Sequence, residues 1–454
     1  MDFRLVFFLL IFPILIQGCG QGDGAALGDD ATCPLASYSA RTVIDGSGTT
    51  GLNFGADTAA TPHLAEMQSG IYATWSEMVV ADGLNEIQVY SYNGNDSSPS
   101  WTRIVGASTN GLNKDTVERN ATNPRLVSFN SKLYATWVEE APGPTTQIRI
   151  AVFNGSTTSP SWSFVDGGST YGLNKNTAKS ATVPQPVVLS GKLYLIWREQ
   201  NASSINQVRV AVYGGSDSSP SWSFVDGNGA NGLNYSSSRD ADGVTASVFN
   251  SKLYLAWAES NGTATQLRAV VYNGNDSSPS WSFVDGNSTS GLNYLATQNA
   301  KEPTLASSGR DLTVGWLETN GTSTQVRVRK YNGIDSSPSW SWLDGQGTNG
   351  VSVDVAYGVQ SGAAALFYLG YNLFMGWAEN DGGVSSVRLT YYSGASGSPF
   401  TYLLSSSTAN LNQNSEADAS IPFGLVTSSC KIYYTWIETD DDLGKDFVRA
   451  AVVK

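Results

Sequence analysis

An all-β fold is predicted by the composition of the chain and by a stretch of sequence that it repeats. Among 454 residues there are 47 glycines, 13 tryptophans, 21 tyrosines and 16 phenylalanines, and charged residues make up only 14%. No stretch shows the sustained apolar period of about 3.6 residues that marks helices. Residues 273–286 join a turn rich in Gly, Asn, Asp, Ser and Pro to an aromatic run, as β-hairpins do. Close copies occur at 93–101, 214–227 and 332–345, and looser ones at 154–167 and 393–401.

Seven copies of the repeat are counted by the tryptophan of the motif Trp-x-Glu. It occurs at Trp75, Trp137, Trp197, Trp257, Trp316, Trp377 and Trp436, so by subtraction the spacing is 59–62 residues. Each copy carries four strand signals, which in the fourth copy are 244–249, 252–259, 266–272 and 281–285. Four antiparallel strands repeated about every sixty residues are typical of a propeller blade. The sequence therefore predicts a single seven-bladed β-propeller.

The two ends of the chain predict how the ring closes. The seventh copy ends after its third strand, 447–453, whereas residues 36–45 match the fourth strand of other copies. We therefore expect residues 34–50 to supply the outer strand of the last blade, which removes exposed sheet edges. Cys33 precedes that strand and Cys430 begins the second strand of the same blade, on the same rim. A Cys33–Cys430 disulfide is predicted, closing a long loop and locking the latch.

The N-terminus predicts a targeting segment. Leu5 to Ile16 form an apolar core too short to span a bilayer, and Ile16-Gln17-Gly18-Cys19 follows. That tetrad resembles a bacterial lipobox, in which the signal is cut before the cysteine and the thiol is lipidated. The resemblance implies a signal peptide at 1–18, lipidated Cys19 with a flexible tether over 19–33, and the propeller over 34–454. We expect an exported monomer anchored to the bacterial cell envelope, at the outer membrane or cell surface.

Charge narrows the possible partners. The formal net charge is −13, so no cluster of Lys and Arg is expected to neutralise a phosphate backbone. Nucleic acid is therefore excluded as a partner, and contact with membrane is expected through the lipid anchor alone. The same charge also suits a soluble surface with no specific acidic function.

A repeated Trp-x-Glu motif and a matching arginine suggest structural ion pairs. The glutamate lies on strand two and the arginine on strand three, directly opposite or diagonal to each other. Each glutamate is therefore expected to pair with an arginine. The predicted pairs are Glu139–Arg149, Glu199–Arg209, Glu259–Arg268, Glu318–Arg327, Glu379–Arg388 and Glu438–Arg449. Glu77 faces Gln88 instead and is the odd member. Because a catalytic site used once does not need seven copies, we interpret the set as structural.

The repeated turn resembles a degenerate Asp box, the hairpin motif of sialidases and other propellers. Asp276, Ser280 and Trp281 carry the resemblance, while Ser278 replaces the usual glycine. It recurs with Asp96, Asp217 and Asp335, whereas Thr157 and Ser396 stand at the aspartate position of copies two and six. In that family the box is a folding element whose aspartate accepts hydrogen bonds from turn amides and whose tryptophan packs beneath. It implies a fold and no substrate.

Other chemistry is sparse in the sequence. His63 is the single histidine, so a Ser-His-Asp site could use only that residue, and we expect it in a propeller loop. No cysteine pair has zinc spacing and no phosphate loop occurs, so no cofactor or metal is expected. Asp440, Asp441 and Asp442 form an acidic loop that could hold Ca²⁺, although a solvated tip explains it as well.

Ligand binding is expected on the face that carries the long loops between blades. Phe54, Tyr171, Tyr235 and Tyr294 lie in these loops and could stack on sugar rings. Lys114 and Lys175 take the place of Phe54, Tyr235 and Tyr294 in two copies, a variation that ordinary surface also explains. We predict a non-catalytic recognition scaffold for glycan or protein ligands. The alternatives are a sialidase-like glycoside hydrolase and a purely structural envelope protein.

Overall fold

The computed structural model describes residues 38–454 apart from 39, 47–49, 56, 80–82, 107–110, 116–117, 168–170, 228, 230, 287–289, 348–349, 353–357, 360–363, 381–382, 396–398, 404–410, 427–429 and 441–442. The signal peptide, Cys19, the tether and Cys33 lie outside these residues. No helix long and apolar enough to cross a membrane is found in the described part of the chain.

Twenty-eight strands are described, and they form seven four-stranded antiparallel sheets. In chain order they are β1 (Arg41–Val43), β2 (Ala59–Met67), β3 (Gly70–Val79), β4 (Leu84–Tyr92), β5 (Trp101–Arg103), β6 (Ala121–Phe129), β7 (Lys132–Glu140), β8 (Thr146–Phe153), β9 (Trp162–Phe164), β10 (Ala181–Leu189), β11 (Lys192–Gln200), β12 (Asn206–Tyr213), β13 (Trp222–Phe224), β14 (Ala241–Phe249), β15 (Lys252–Ser260), β16 (Thr265–Tyr272), β17 (Trp281–Phe283), β18 (Ala300–Ser307), β19 (Leu312–Thr319), β20 (Thr324–Tyr331), β21 (Trp340–Trp342), β22 (Ala365–Leu369), β23 (Asn372–Asn380), β24 (Ser385–Tyr392), β25 (Phe400–Tyr402), β26 (Ala419–Val426), β27 (Ile432–Asp440) and β28 (Lys445–Val453).

The predicted seven-bladed propeller with an N-terminal latch is confirmed. Six sheets are consecutive in sequence, beginning with β2-β3-β4-β5, and the seventh has the order β1-β28-β27-β26. Arg41 to Val43 pair with Ala451 to Val453 in antiparallel register. The first strands of successive blades touch one another around the ring, and β26 touches β2. The first strand of each blade therefore lines a central channel, and β1 joins the two ends of the chain.

Tryptophan side chains form the centre of each blade. The seven repeat tryptophans, Trp75 to Trp436, are fully buried. Aliphatic residues of neighbouring blades pack around them: the cluster that contains Trp257 combines Ile196 and Val210 of blade three with Leu255 of blade four. Burying a large aromatic ring between sheets contributes much of the stability of such a core. The core is thus distributed over the contacts between blades.

The repeated Gly-Leu-Asn segment fixes the start of each loop between blades. Asn293 Oδ1 accepts a hydrogen bond from Leu267 N, and its amide group donates to Thr265 O and Gln298 O. Gly291 has a φ of +53°, and a Cβ there would lie 2.3 Å from Leu267 O. Because that space is closed to every other side chain, glycine is required at this step. The segment is hydrogen-bonded to the start of the third strand and so holds the loops between blades at that end of the strands. We call this face of the propeller the upper face.

Candidate functional site

Six of the seven repeat glutamates are each held by three described donors, namely the tryptophan of the same strand and two amides of the loop that precedes the blade. Glu259 accepts hydrogen bonds from Trp257 Nε1 at 2.8 Å, Tyr235 N at 2.9 Å and Ser236 N at 2.7 Å. Burial raises the pKa of Glu259, although these hydrogen bonds act in the opposite direction. The glutamate therefore ties the long loop to the buried tryptophan. The same contacts recur at Glu77, Glu139, Glu199, Glu318 and Glu438.

The predicted arginine partner of these glutamates needs correction. Arg268 lies directly opposite Trp257, while Glu259 lies opposite Gln266. The ion pair of the arginine is with the aspartate that follows strand four, as for Arg268 Nη1 and Asp285 Oδ2 at 3.2 Å. Equivalent pairs are Arg149–Asp166, Arg209–Asp226 and Arg327–Asp344. Among the described pairs, Glu438 and Arg449, with Oε1 and Nε 3.5 Å apart, follow the prediction. Loop amides already donate hydrogen bonds to the glutamate oxygens. The arginine therefore pairs with the aspartate after strand four.

Blade one reverses these roles. Gln88 stands at the arginine position of strand three, and Arg103 on strand four donates to its Oε1 at 2.8 Å. Arg103 also lies 4.2 Å from the ring centre of Phe54. Glu77, which we singled out as the odd member, is buried and accepts from Phe54 N and Gly55 N. It has the same structural role as its counterparts.

The aspartate of the repeated turn joins two blades. Asp217 accepts hydrogen bonds from Lys132 Nζ at 2.6 Å and Tyr134 OH at 2.8 Å, both on the preceding blade, and from Tyr213 OH at 3.0 Å. The turn amides are instead bound by asparagine, as where Asn275 Oδ1 accepts from Ser277 N. The Asp-box resemblance thus implied the wrong partners for the aspartate. We call this set of Asp, Lys and two Tyr the rim clasp; it recurs around Asp96, Asp276 and Asp335.

The loop aromatics do not converge on one pocket. Tyr235 stacks on Arg268 of its own blade with 4.1 Å from the guanidinium carbon to the ring centre, and Tyr294 lies 4.2 Å from Arg327. Where lysine replaces the aromatic residue, Lys175 Nζ lies 5.1 Å from the ring centre of Phe224. Aromatic and basic residues alternate at this position because both pair with the blade beneath. Tyr171 is exposed in the loop of blade three.

His63 lies on an inner strand, so its expected loop position is wrong. It is 1% exposed on β2, and its Nδ1 accepts a hydrogen bond from Leu126 N of the next inner strand at 3.3 Å. Thr245 Oγ1 accepts in the same way from Leu305 N. These side chains accept hydrogen bonds from backbone N–H groups at the inner edge of the next blade. A buried backbone N–H needs such a partner. His63 therefore has a structural contact that the sequence did not reveal.

Strained bulges surround the upper opening of the channel. In β2 two residues, Thr61 and Pro62, lie opposite one, and the register shifts between Ala60 and His63. The first bulge residue has a positive φ, which is 52° for Thr61 and 56° for Val183. Asn123, Gly243 and Glu302 share this conformation. Such a φ costs about 1–3 kcal/mol for a residue other than glycine, and strained backbone and bulges are concentrated near functional sites.

Charged side chains at positions that differ between copies lie at this opening, which we call the channel mouth. A Cβ on Gly243 would lie 3.0 Å from Pro303 Cδ and 3.4 Å from Glu302 Cα, so the bulges of blades four and five touch. Asp242 and Glu302 therefore lie on adjoining bulges. Arg198 of blade three donates to Asp242 and, at 2.9 Å, to Thr182 Oγ1. The Asp242 side chain is 68% exposed, so it is accessible to a ligand.

The remaining predicted sites are only partly described. Asp440 Oδ1 accepts from Leu443 N, while Asp441 and Asp442 lie outside the described residues. In the described part of the chain, no group of three or more acidic, histidine or cysteine side chains could hold a metal ion. Cys430 is disulfide-bonded. Since Cys33 is not described, the Cys33–Cys430 pairing stays a prediction.

Comparison with known proteins identifies the class of fold. No family model and no curated protein matches the chain. The solved structure of the polysaccharide lyase Uly1 is similar, with 11% identity over 86% of this chain and 89% of that chain and a TM-score of 0.54. Trypanosoma rangeli sialidase has 8% identity over 87% of this chain and 55% of that one, with a TM-score of 0.43. Penicillium chrysogenum α-L-arabinanase, complexed with arabinobiose, has 11% identity over 77% and 97%, with a TM-score of 0.43.

These similarities correct one prediction from the sequence. We expected a protein that is not an enzyme, but the fold is shared with a polysaccharide lyase, which is an enzyme. The prediction of a non-enzyme is therefore contradicted. At this level of identity the likeness shows the fold alone, and the chemistry must be argued from the residues of this chain.

Proposed function

We propose that this protein is a polysaccharide-cleaving enzyme that acts at the channel mouth. The observation that carries the proposal is the placement of two carboxylates, Asp242 and Glu302, on adjoining bulges beside Arg198. Glycosidic bond cleavage generally uses a pair of carboxyl groups, one as acid and the other as base or nucleophile. Asp242 belongs to blade four and Glu302 to blade five, so the pair spans the junction between these two blades.

The guanidinium groups at the mouth favour an acidic polysaccharide. Arg198 is held between Thr182 and Asp242, and half-buried Arg125 lies on the inner strand of blade two. Arginine binds a carboxylate through two parallel hydrogen bonds. We expect these arginines to bind the acid group of a uronate unit, so that Asp242 and Glu302 lie near the adjoining glycosidic oxygen.

Elimination is the second candidate reaction, and the likeness to a polysaccharide lyase favours it. In a lyase reaction a base removes the proton next to the uronate carboxylate, the C–O bond to the leaving sugar breaks as its oxygen takes up a proton, and a carbon–carbon double bond forms. An arginine on the carboxylate would stabilise the charge that develops there. Hydrolysis instead adds water and leaves no double bond, so the two reactions differ in their products.

The full-length protein should be tested against a panel of neutral and uronate-containing polysaccharides. Release of reducing ends measures cleavage, and ultraviolet absorbance of the unsaturated uronate separates elimination from hydrolysis. We expect Glu302→Gln and Asp242→Asn to lower the rate by about 10²–10⁴-fold, the usual contribution of a general acid or base. Arg310→Ala is the matched control, because Arg310 lies in the turn between β18 and β19 at the opposite face. Wild-type protein that cleaves no member of the panel would refute the proposal.

We further propose a cell-envelope location. Cys19 would carry the lipid and a Cys33–Cys430 disulfide would lock the latch, as the sequence predicts. Metabolic labelling with a radioactive fatty acid should mark the wild type and leave Cys19→Ala unlabelled. For the disulfide, the mass of the intact protein should rise by that of two hydrogen atoms on reduction. Two alkylatable thiols before reduction would contradict the pairing.

A further inference from the structure

The junction between blades one and two lacks the rim clasp, because three of its four residues are replaced there. Gly70 stands at the position of Lys132, Thr157 at that of Asp217, and Phe153 at that of Tyr213. The remaining tyrosine, Tyr72, hydrogen-bonds Ser91 of its own blade instead of reaching across. Because the aspartate, the lysine and one tyrosine are replaced together, no charge is left without its partner at this junction.

A cavity lies at this junction, on the rim opposite the channel mouth. It has a volume of about 580 Å³ and is bordered by Met67, Gln68, Tyr72, Phe153, Asn154 and Ser163. The equivalent space one blade further on, at the junction of blades two and three that the clasp of Asp217 holds, has a volume of about 350 Å³. Loss of the clasp therefore coincides with a larger opening. A volume of a few hundred Å³ is typical of small-molecule sites.

The chemistry of the lining identifies the class of ligand. Gln68, Asn154 and Ser163 offer uncharged donors and acceptors, and Tyr72 and Phe153 offer apolar surface. The charged border residues, Lys132 and Asp217, neutralise each other at 2.6 Å. An ionic ligand would find no uncompensated charge in this lining, whereas a sugar has hydroxyl groups for the amides and a C–H face for the rings.

We propose that this cavity binds a neutral monosaccharide or disaccharide unit, as a carbohydrate site separate from the channel mouth. It lies on the lower rim, at the end of the strands opposite Asp242 and Glu302. The site does not depend on the proposed enzyme activity. A polysaccharide held here would be retained near the protein without being cleaved.

Ligand-observed NMR on the full-length protein tests the site with glucose, galactose, mannose, maltose, cellobiose and lactose as probes, and glucuronate as a charged comparison. We expect at least one neutral probe to bind more tightly than glucuronate. Ser163→Trp fills the cavity from an exposed position on β9 and should weaken this binding by about tenfold or more. Ser223→Trp, at the equivalent position beside the smaller cavity, is the matched control and should leave it unchanged.

A second variant rebuilds the clasp with Gly70→Lys, Phe153→Tyr and Thr157→Asp. This variant should also abolish binding. A Tm close to that of the wild type will show that the ring is intact. Glu302→Gln should bind the neutral probe as the wild type does, which separates this site from the proposed catalytic one. Absence of binding for every neutral probe, or equal binding by Ser163→Trp and wild type, would overturn the proposal.

Discussion

The lower rim and the channel mouth of this propeller use the repeat in opposite ways. On the lower rim the same clasp of Asp, Lys and two Tyr joins four pairs of blades, around Asp96, Asp217, Asp276 and Asp335. At the channel mouth equivalent positions hold different residues, among them Asn123, Val183 and Glu302. Repetition therefore stabilises the ring, and the proposed cleavage site lies where the copies differ.

The largest loss of stability is expected at the glutamate that ties loop to tryptophan. Glu259→Ala removes the acceptor of Trp257 Nε1, Tyr235 N and Ser236 N. Each buried donor left without a partner costs about 1–3 kcal/mol, so we expect a total of about 3 kcal/mol or more. Tryptophan fluorescence during denaturant unfolding measures the change. Glu259→Gln keeps one acceptor oxygen and should lose less; equal losses would contradict the role of the three hydrogen bonds.

A smaller loss is expected at a rim clasp. Asp276→Asn weakens the hydrogen bonds from Lys192, Tyr194 and Tyr272, and we expect a cost of about 1–3 kcal/mol. Thr157→Ala, at the junction without a clasp, should change stability by less than about 0.5 kcal/mol. The difference between the two variants, measured by thermal unfolding, tests whether the clasp or merely the turn stabilises the rim. Similar losses would favour the turn.

The clasp also predicts a pH dependence. Burial alone would raise the pKa of Asp276, but hydrogen bonds from Lys192, Tyr194 and Tyr272 hold it below the ordinary value of 3.8. The folded state thus binds fewer protons than the unfolded chain between the two pKa values. The stabilisation is fully present above pH 3.8 and is lost as pH falls through the folded pKa. The gap in Tm between wild type and Asp276→Asn should shrink over that acidic window; a constant gap would contradict the prediction.

The smallest effect is expected for the aromatics of the upper loops. Phe54→Ala removes the contact with Arg103, and Tyr235→Ala removes that with Arg268. Exposed cation–π contacts contribute about 0.5–1 kcal/mol, so each Tm should fall only slightly. Tyr235→Ala combined with Tyr294→Ala should leave polysaccharide cleavage unchanged. Loss of cleavage in this double variant would move the substrate site from the channel mouth to the peripheral loops.

Much of the fold could be predicted from the sequence because the repeat reports its own period. The strands predicted for the fourth copy lie within three residues of β14 to β17, and the latch follows from the strand missing after Val453. Side-chain partners were harder to predict. Asp217 and Lys132 belong to different copies, so an alignment of copies cannot pair them. Arg268 was assigned to Glu259 because the sequence does not show that backbone amides of the loop donate hydrogen bonds to this glutamate.

The channel mouth was missed for a related reason. Thr61, Asn123, Val183 and Glu302 all precede a proline in the first strand, which is a readable signal. Proline has no backbone N–H to donate to a neighbouring strand. It is therefore found in edge strands and often marks a bulge. The left-handed φ before each proline could not be anticipated, because a residue before proline ordinarily adopts an extended conformation. The sequence predicted the first strand of the fourth copy, which has no proline at this position, and the bulges were not predicted.

The most direct measurement compares the rate of polysaccharide cleavage by Asp242→Asn and Asp276→Asn on the same substrate. Both variants replace one aspartate by its amide, the first at the channel mouth and the second in a rim clasp. We expect the first to lose about 10²–10⁴-fold in rate and to keep its Tm, because Asp242 is exposed and acts on the substrate. The second should lose Tm and cleave at the wild-type rate. An Asp242→Asn variant that cleaves as fast as Asp276→Asn would contradict a catalytic site at the channel mouth.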